Sequence, residues 1–142
     1  MNLTIRQRVK LVCDHANIPQ KDVAARIGMS AASFTLRLKT GKFTKEELEQ
    51  IAEAAGCRYF SAFRFSNGAE YSMPTMLLQI RCALDHVDMS AAELGRKMGL
   101  TQQAISKRLH IGKITQDELE VISNYIGCEY ISEFRFDDGA RY

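Results

Sequence analysis

A chain of 142 residues suits one medium domain or two small ones. Hydrophobic residues make up 46%, an ordinary share for a globular protein, yet no apolar run approaches the roughly 20 residues that span a bilayer. Arg6, Arg8 and Lys10 interrupt the apolar positions where a secretory signal would lie, and a net charge of +2 means that any nucleic-acid site must come from local clustering.

In chain order, Thr4 predicts the cap of a helix from about Ile5 to Ala16, with Ile5, Val9, Val12 and Ala16 inward. A second helix, about Pro19 to Ile27, opens on a proline whose missing N–H is harmless in the first turn. The third, Ala31 to about Thr40, turns Phe34 and Leu38 inward and ends at Gly41. Thr44 and Glu47 form a capping box for a fourth helix, which buries Leu48, Ile51 and Ala55 and ends at Gly56. Arg58 to Phe65 changes to period two and predicts a strand. Tyr59, Ser61, Phe63 and Phe65 take its core side, and Phe60, Ala62 and Arg64 take the other. Asn67-Gly68 signals a hairpin to a short second strand.

The same unit then recurs. Gly28 and Gly99, Gly41 and Gly112, and Gly56 and Gly127 are each 71 residues apart, half of the chain. Thr44 and Glu47 reappear as Thr115 and Glu118, and Cys57, Tyr59 and Phe63-Arg64-Phe65 as Cys128, Tyr130 and Phe134-Arg135-Phe136. Asn67-Gly68 returns as Asp138-Gly139. The expected domains are therefore 1–71 and 72–142, joined by about three residues around Pro74. Phe60 and Ile131 occupy the second side of the two strands and are the expected packing surface between copies. A unit of 71 residues is near the lower limit for a self-sufficient core, which favours two copies packed together.

The stretch Gly99 to Leu109 carries the functional signal. Gly99 ends one helix and Thr101 caps the next. Ile105 and Leu109 share the buried face, leaving Gln103 and Lys107 on the opposite one. A helix ending in glycine, a tight turn, and a helix with a polar outward face make the helix-turn-helix pattern. The stretch resembles the repressor and Cro type of this motif. Gln20, Ala24, Gly28 and Ser30 match the family pattern in the first copy, and Gly95, Gly99 and Thr101 in the second. The copies depart from it in complementary places: Ala91 replaces Gln20, and Ala31-Ala32 replace Gln102-Gln103. The Glu-Asn-Gly ending usual in the family is replaced by Lys39-Thr40-Gly41 and His110-Ile111-Gly112. The resemblance implies a mainly α fold of two tandem repressor-like bundles, each followed by a β-hairpin. It implies base reading by Gln102 and Gln103, since a Gln amide both donates to and accepts from adenine.

Charge distribution points to the same faces. Between Ile18 and Lys45 there are six basic residues, Lys21, Arg26, Arg37, Lys39, Lys42 and Lys45, against Asp22 alone. Between Met89 and Gln116, Arg96, Lys97, Lys107, Arg108 and Lys113 stand against Glu93. The acids gather in the fourth helices and hairpins, an electrostatic footprint of DNA docking. The expected DNA-binding set is Gln20, Ser30, Ser33, Thr35, Leu36, Arg37, Lys39 and Lys42 in the first copy. In the second it is Thr101, Gln102, Gln103, Ser106, Lys107, Arg108, His110 and Lys113. The expectation is a cytoplasmic, prokaryotic or phage-type transcriptional regulator, a repressor, acting as a monomeric covalent pseudo-dimer on double-stranded DNA. Its half-sites would lie about one helical turn apart, roughly 34–36 Å. A rival reading is a protein-binding inhibitor or adaptor on the same fold, because Ala32 and Leu36 offer an apolar outward patch.

Cys13, Cys57, Cys82 and Cys128 form no C-x-x-C pair and read as reduced structural thiols. His15 and His86 follow aspartates at the ends of first helices, where the helix dipole favours them. No second ligand sits at a usable spacing for a metal, and no nucleophile–base pair or phosphate-cradling glycine loop is present. The expectation is therefore a non-enzyme without a cofactor.

Overall fold

The computed structural model describes residues 3–142. The chain is mainly helical: among the described residues there are eight helices, 56% of the chain. They are α1 (Ile5–Ala16), α2 (Gln20–Arg26), α3 (Ala31–Thr40), α4 (Lys45–Ala55), α5 (Met76–His86), α6 (Ala91–Lys97), α7 (Gln102–Ile111) and α8 (Gln116–Ile126). Strands β1 (Arg58–Arg64), β2 (Glu70–Tyr71) and β3 (Glu129–Arg135) form a small antiparallel sheet in the order β2-β1-β3, with Phe63 opposite Tyr71 and Arg64 opposite Glu70. None of the helices is long and apolar enough to cross a membrane.

Local chemistry sets the helix boundaries. The Thr4 hydroxyl accepts from the Gln7 N–H, and the Gln7 amide oxygen accepts from the Thr4 N–H, closing a capping box at α1. The Thr44–Glu47 box opens α4 in the same way. Pro19 is the cap of α2 rather than its first residue, so that helix begins one position later than expected. The turn after β1 is also wider than a two-residue hairpin. The Gly68 N–H donates to the Phe65 carbonyl across Ser66-Asn67, and Gly68 has φ +92°, a type I turn closed by a left-handed glycine.

The chain forms two compact units. One comprises the residues up to Phe60 together with Glu133–Tyr142, and the other Ser61–Ser132. This division differs from the sequence halves 1–71 and 72–142. The hairpins account for the difference: residues 61–71 belong with α5–α8, and residues 133–142 with α1–α4.

In the first unit, Val9, Val12, Phe34, Leu38, Phe43 and Ile51 are buried around Phe134, a residue of the C-terminal strand. Phe136 and Tyr142 pack beside them. His15, at the end of α1, fixes this hairpin. Its Nδ1 lies 2.8 Å from the Tyr142 hydroxyl and its Nε2 lies 2.8 Å from Asp138 Oδ2, with the Phe136 ring 4.2 Å away. In the second unit, Phe63 and Phe65 are buried with Ile80, Leu94, Ile105 and Leu119. His86 plays the matching part, stacked on Phe65 at 4.0 Å with Nδ1 2.8 Å from the Tyr71 hydroxyl. Both histidines thus tie a helix end to a hairpin, beyond the dipole role read from sequence.

The strand faces are less divided than period two implies. Ser61, Ala62 and Phe63 are all buried, so the centre of β1 is covered on both sides. The Ser61 hydroxyl accepts from Gln79 Nε2 at 3.3 Å, and Gln79 Oε1 accepts from the Met73 N–H, which satisfies a fully buried amide. Phe60 is half-buried beneath the Arg135 guanidinium, 3.9 Å from its ring centre, and Ile131 is half-buried.

All four cysteines are free. Burial pushes the Cys13 thiol up to about 11, helped by the Asp14 carboxylate, and burial likewise raises Cys57 and Cys128 to about 11. At neutral pH these three thiols are held protonated and unreactive.

Candidate nucleic-acid interface

The joints α2–α3 and α6–α7 position the outward helices. After α6, the Leu100 N–H donates to the Gly95 carbonyl at 2.7 Å and the Gly99 N–H to Arg96 at 3.1 Å, with Gly99 at φ +74°. This crossed pair of bonds ends the helix and reverses the chain within a few residues. Thr101 then accepts from the Ala104 N–H at 3.1 Å and starts α7. The α2–α3 joint is built alike, through Met29 to Ala24 at 2.8 Å and Gly28 to Ala25 at 3.2 Å, with Ser30 accepting from the Ser33 N–H at 3.1 Å. Helices α6 and α7 approach closely at Gly95. A Cβ there would lie 2.8 Å from Ile105 Cγ2.

On α7, Ile105 and Leu109 face the core while Gln102, Gln103, Ser106, Lys107 and His110 are exposed. The side chains of these five make no hydrogen bond or ion pair among the described residues. Lys113, just past the helix, is likewise exposed and unpaired among them. On α3, Ser33, Thr35, Leu36 and Lys39 are exposed, and Lys42 follows in the loop. Gln20, at the start of α2, is half-buried.

Other members of the expected set have structural work. The Ser30 and Thr101 hydroxyls are occupied as helix caps. The Thr35 hydroxyl donates to the Ala31 carbonyl at 2.9 Å within its own helix. Arg37 pairs with Glu47 and also donates to the Lys42 carbonyl at 3.0 Å, while Arg108 pairs with Glu118. Both glutamates are the capping-box residues of the following helix, so each arginine ties an outward helix to the next one. Two cations of the charge clusters outside that set are also committed: Lys45 is buried and donates to Glu49 at 2.7 Å, and Arg26 donates to the Ala54 carbonyl at 2.7 Å.

The basic clusters read from sequence are therefore thinned. Lys21, Lys39 and Lys42 remain exposed and unpaired among the described residues of one unit, and Arg96, Lys97, Lys107 and Lys113 of the other. Lys21, Arg96 and Lys97 lie outside the residue set expected from sequence, although the charge clusters contain them. The pairings had a detectable signal: Arg37 to Glu47 and Arg108 to Glu118 share one spacing in both halves. Among the described residues, no three His, Cys, Asp or Glu side chains are grouped to hold a metal ion. No family model, curated protein or solved structure matches the chain.

Proposed function

We propose that the chain is a sequence-specific double-stranded DNA-binding transcriptional regulator of bacterial or phage type, a cytoplasmic repressor that needs no cofactor. In this reading α2–α3 and α6–α7 are repressor-like helix-turn-helix units in tandem bundles, and one chain serves both halves of its site. The observation that carries the reading is the surface of α7. Five polar side chains stand exposed and uncommitted, with Lys113 just beyond. Gln102 and Gln103 at its start suit bidentate contact with adenine, and the unpaired cations suit phosphates, which set register without reading sequence.

The test is selection of bound sites from randomised duplex DNA, followed by gel shifts across a salt series. A recovered consensus, with affinity falling steeply as salt rises, is the expected result, because neutralised phosphates release counterions. Absence of any shift at low salt would reject the reading. It would favour a protein-binding inhibitor or adaptor, for which one observation speaks: Val121 and Tyr125 are both exposed, one turn apart on α8.

A further inference from the structure

The outward surface of α3 has a different chemistry from that of α7. Leu36 is 62% exposed, more than any other large apolar side chain described. Ala32, one turn earlier, is exposed beside it. Thr35 is exposed too, but its hydroxyl is spent on the Ala31 carbonyl, which leaves its γ-methyl available for contact. The centre of this face is thus Leu36 with Ala32, and the Ser33 hydroxyl, one turn before Leu36, is exposed at its side. Toward the end of the helix come Lys39 and Lys42, exposed and unpaired among the described residues, while the acid Glu47 is taken up by Arg37.

Leu36 is the only large apolar side chain exposed on α3, too little to form the apolar centre of a protein interface. Contact with a thymine 5-methyl group in the major groove needs no more than one such side chain, and it occurs between rows of phosphates that suit flanking lysines. Resting on the DNA-binding reading above, we infer that α3 recognises thymine methyl groups. Leu36 is the principal contact, Ala32 lies beside it one turn earlier, and Lys39 and Lys42 hold the backbone. The part of the site under α3 is then thymine-dependent through Leu36.

The test uses the full chain and a duplex recovered from a randomised pool, prepared once with thymine and once with uracil throughout. Uracil keeps every Watson–Crick contact and lacks only the methyl. The wild-type chain should bind the uracil duplex about fourfold more weakly for each contacted methyl. Leu36→Ala, at an exposed position, should fold normally and bind the two duplexes more nearly alike, whereas Gln103→Ala should keep the full thymine preference. Site-specific binding that ignores the replacement would overturn the inference and leave the DNA reading standing. An undiminished thymine preference in Leu36→Ala would overturn the assignment to α3. Failure to recover any duplex at low salt would overturn both.

Discussion

Helices α3 and α7 each run ten residues, start at a hydroxyl cap and end at a left-handed glycine. Each is tied to the next helix by an arginine paired with a capping-box glutamate. Their inward residues keep the same spacing, Phe34 with Leu38 and Ile105 with Leu109. Their outward residues differ: Ala31, Ala32 and Leu36 on one, Gln102, Gln103 and Lys107 on the other. Features common to both helices are those that a side chain or backbone bond in the same unit requires. The features that differ are mostly those that nothing else in the unit touches. The comparison thus separates the scaffold from the surface left for a ligand, and it places Arg37 and Arg108 mainly with the scaffold.

The largest test of the comparison concerns the hairpins. Phe134 is fully buried with α1–α4 and Phe63 with α5–α8. Phe134→Ala should cost about 3–5 kcal/mol by chemical denaturation. Its loss should raise amide hydrogen exchange first in α1–α4, and Phe63→Ala should do so first in α5–α8. The reverse pattern would show that each hairpin serves the helices of its own sequence half.

A smaller effect separates the two helix joints. Gly95→Ala improves helix propensity, yet its Cβ would meet Ile105 Cγ2 at 2.8 Å, so a loss of about 1–3 kcal/mol is expected. In the other joint an alanine, Ala24, already occupies the corresponding position and is fully buried, so Ala24→Gly should cost about 2 kcal/mol, from helix propensity and from the lost burial of its methyl group. A Gly95→Ala chain as stable as wild type, in thermal and denaturant unfolding, would disprove the close approach.

The smallest effect is one of pH. Hydrogen bonds from the Ala140 N–H and with His15 hold the Asp138 carboxyl below its ordinary value. A carboxyl lowered on folding contributes stability above its unfolded pKa, and that contribution is lost as pH falls through the lower folded value. The corresponding residue in the other hairpin is Asn67, which accepts from the Ala69 N–H and does not titrate. Acid should therefore loosen the Tyr142 hairpin before the Tyr71 hairpin, and Asp138→Asn should remove that part of the difference. Tyrosine ring resonances followed below pH 5 would show it, and identical responses of the two hairpins would refute it.

Much of the fold was legible because its determinants are local. Thr4, Thr44, Gly41 and Gly56 act on backbone groups within a few residues of themselves, and the helix boundaries they set were read to within about one position. The placement of the hairpins was not legible. Period two shows that Phe63 and Phe65 need cover without showing which helices supply it, and the His15–Tyr142 contact joins residues 127 apart. The candidate site was legible in part. Sequence spacing put Gln103 and Lys107 opposite Ile105 and Leu109, and they are exposed. A count of charges could not show that Arg37, Arg108 and Lys45 are spent on glutamates, because that depends on how neighbouring turns and helices meet.

The proposed DNA reading by α7 is tested most directly by binding of Gln103→Ala and Lys113→Ala to the selected duplex and to random duplex in parallel. Gln103→Ala should lose about 1–3 kcal/mol on the selected site and little on random DNA, whereas Lys113→Ala should weaken both alike and make the salt dependence shallower. An even loss from Gln103→Ala on both duplexes would contradict base reading by α7.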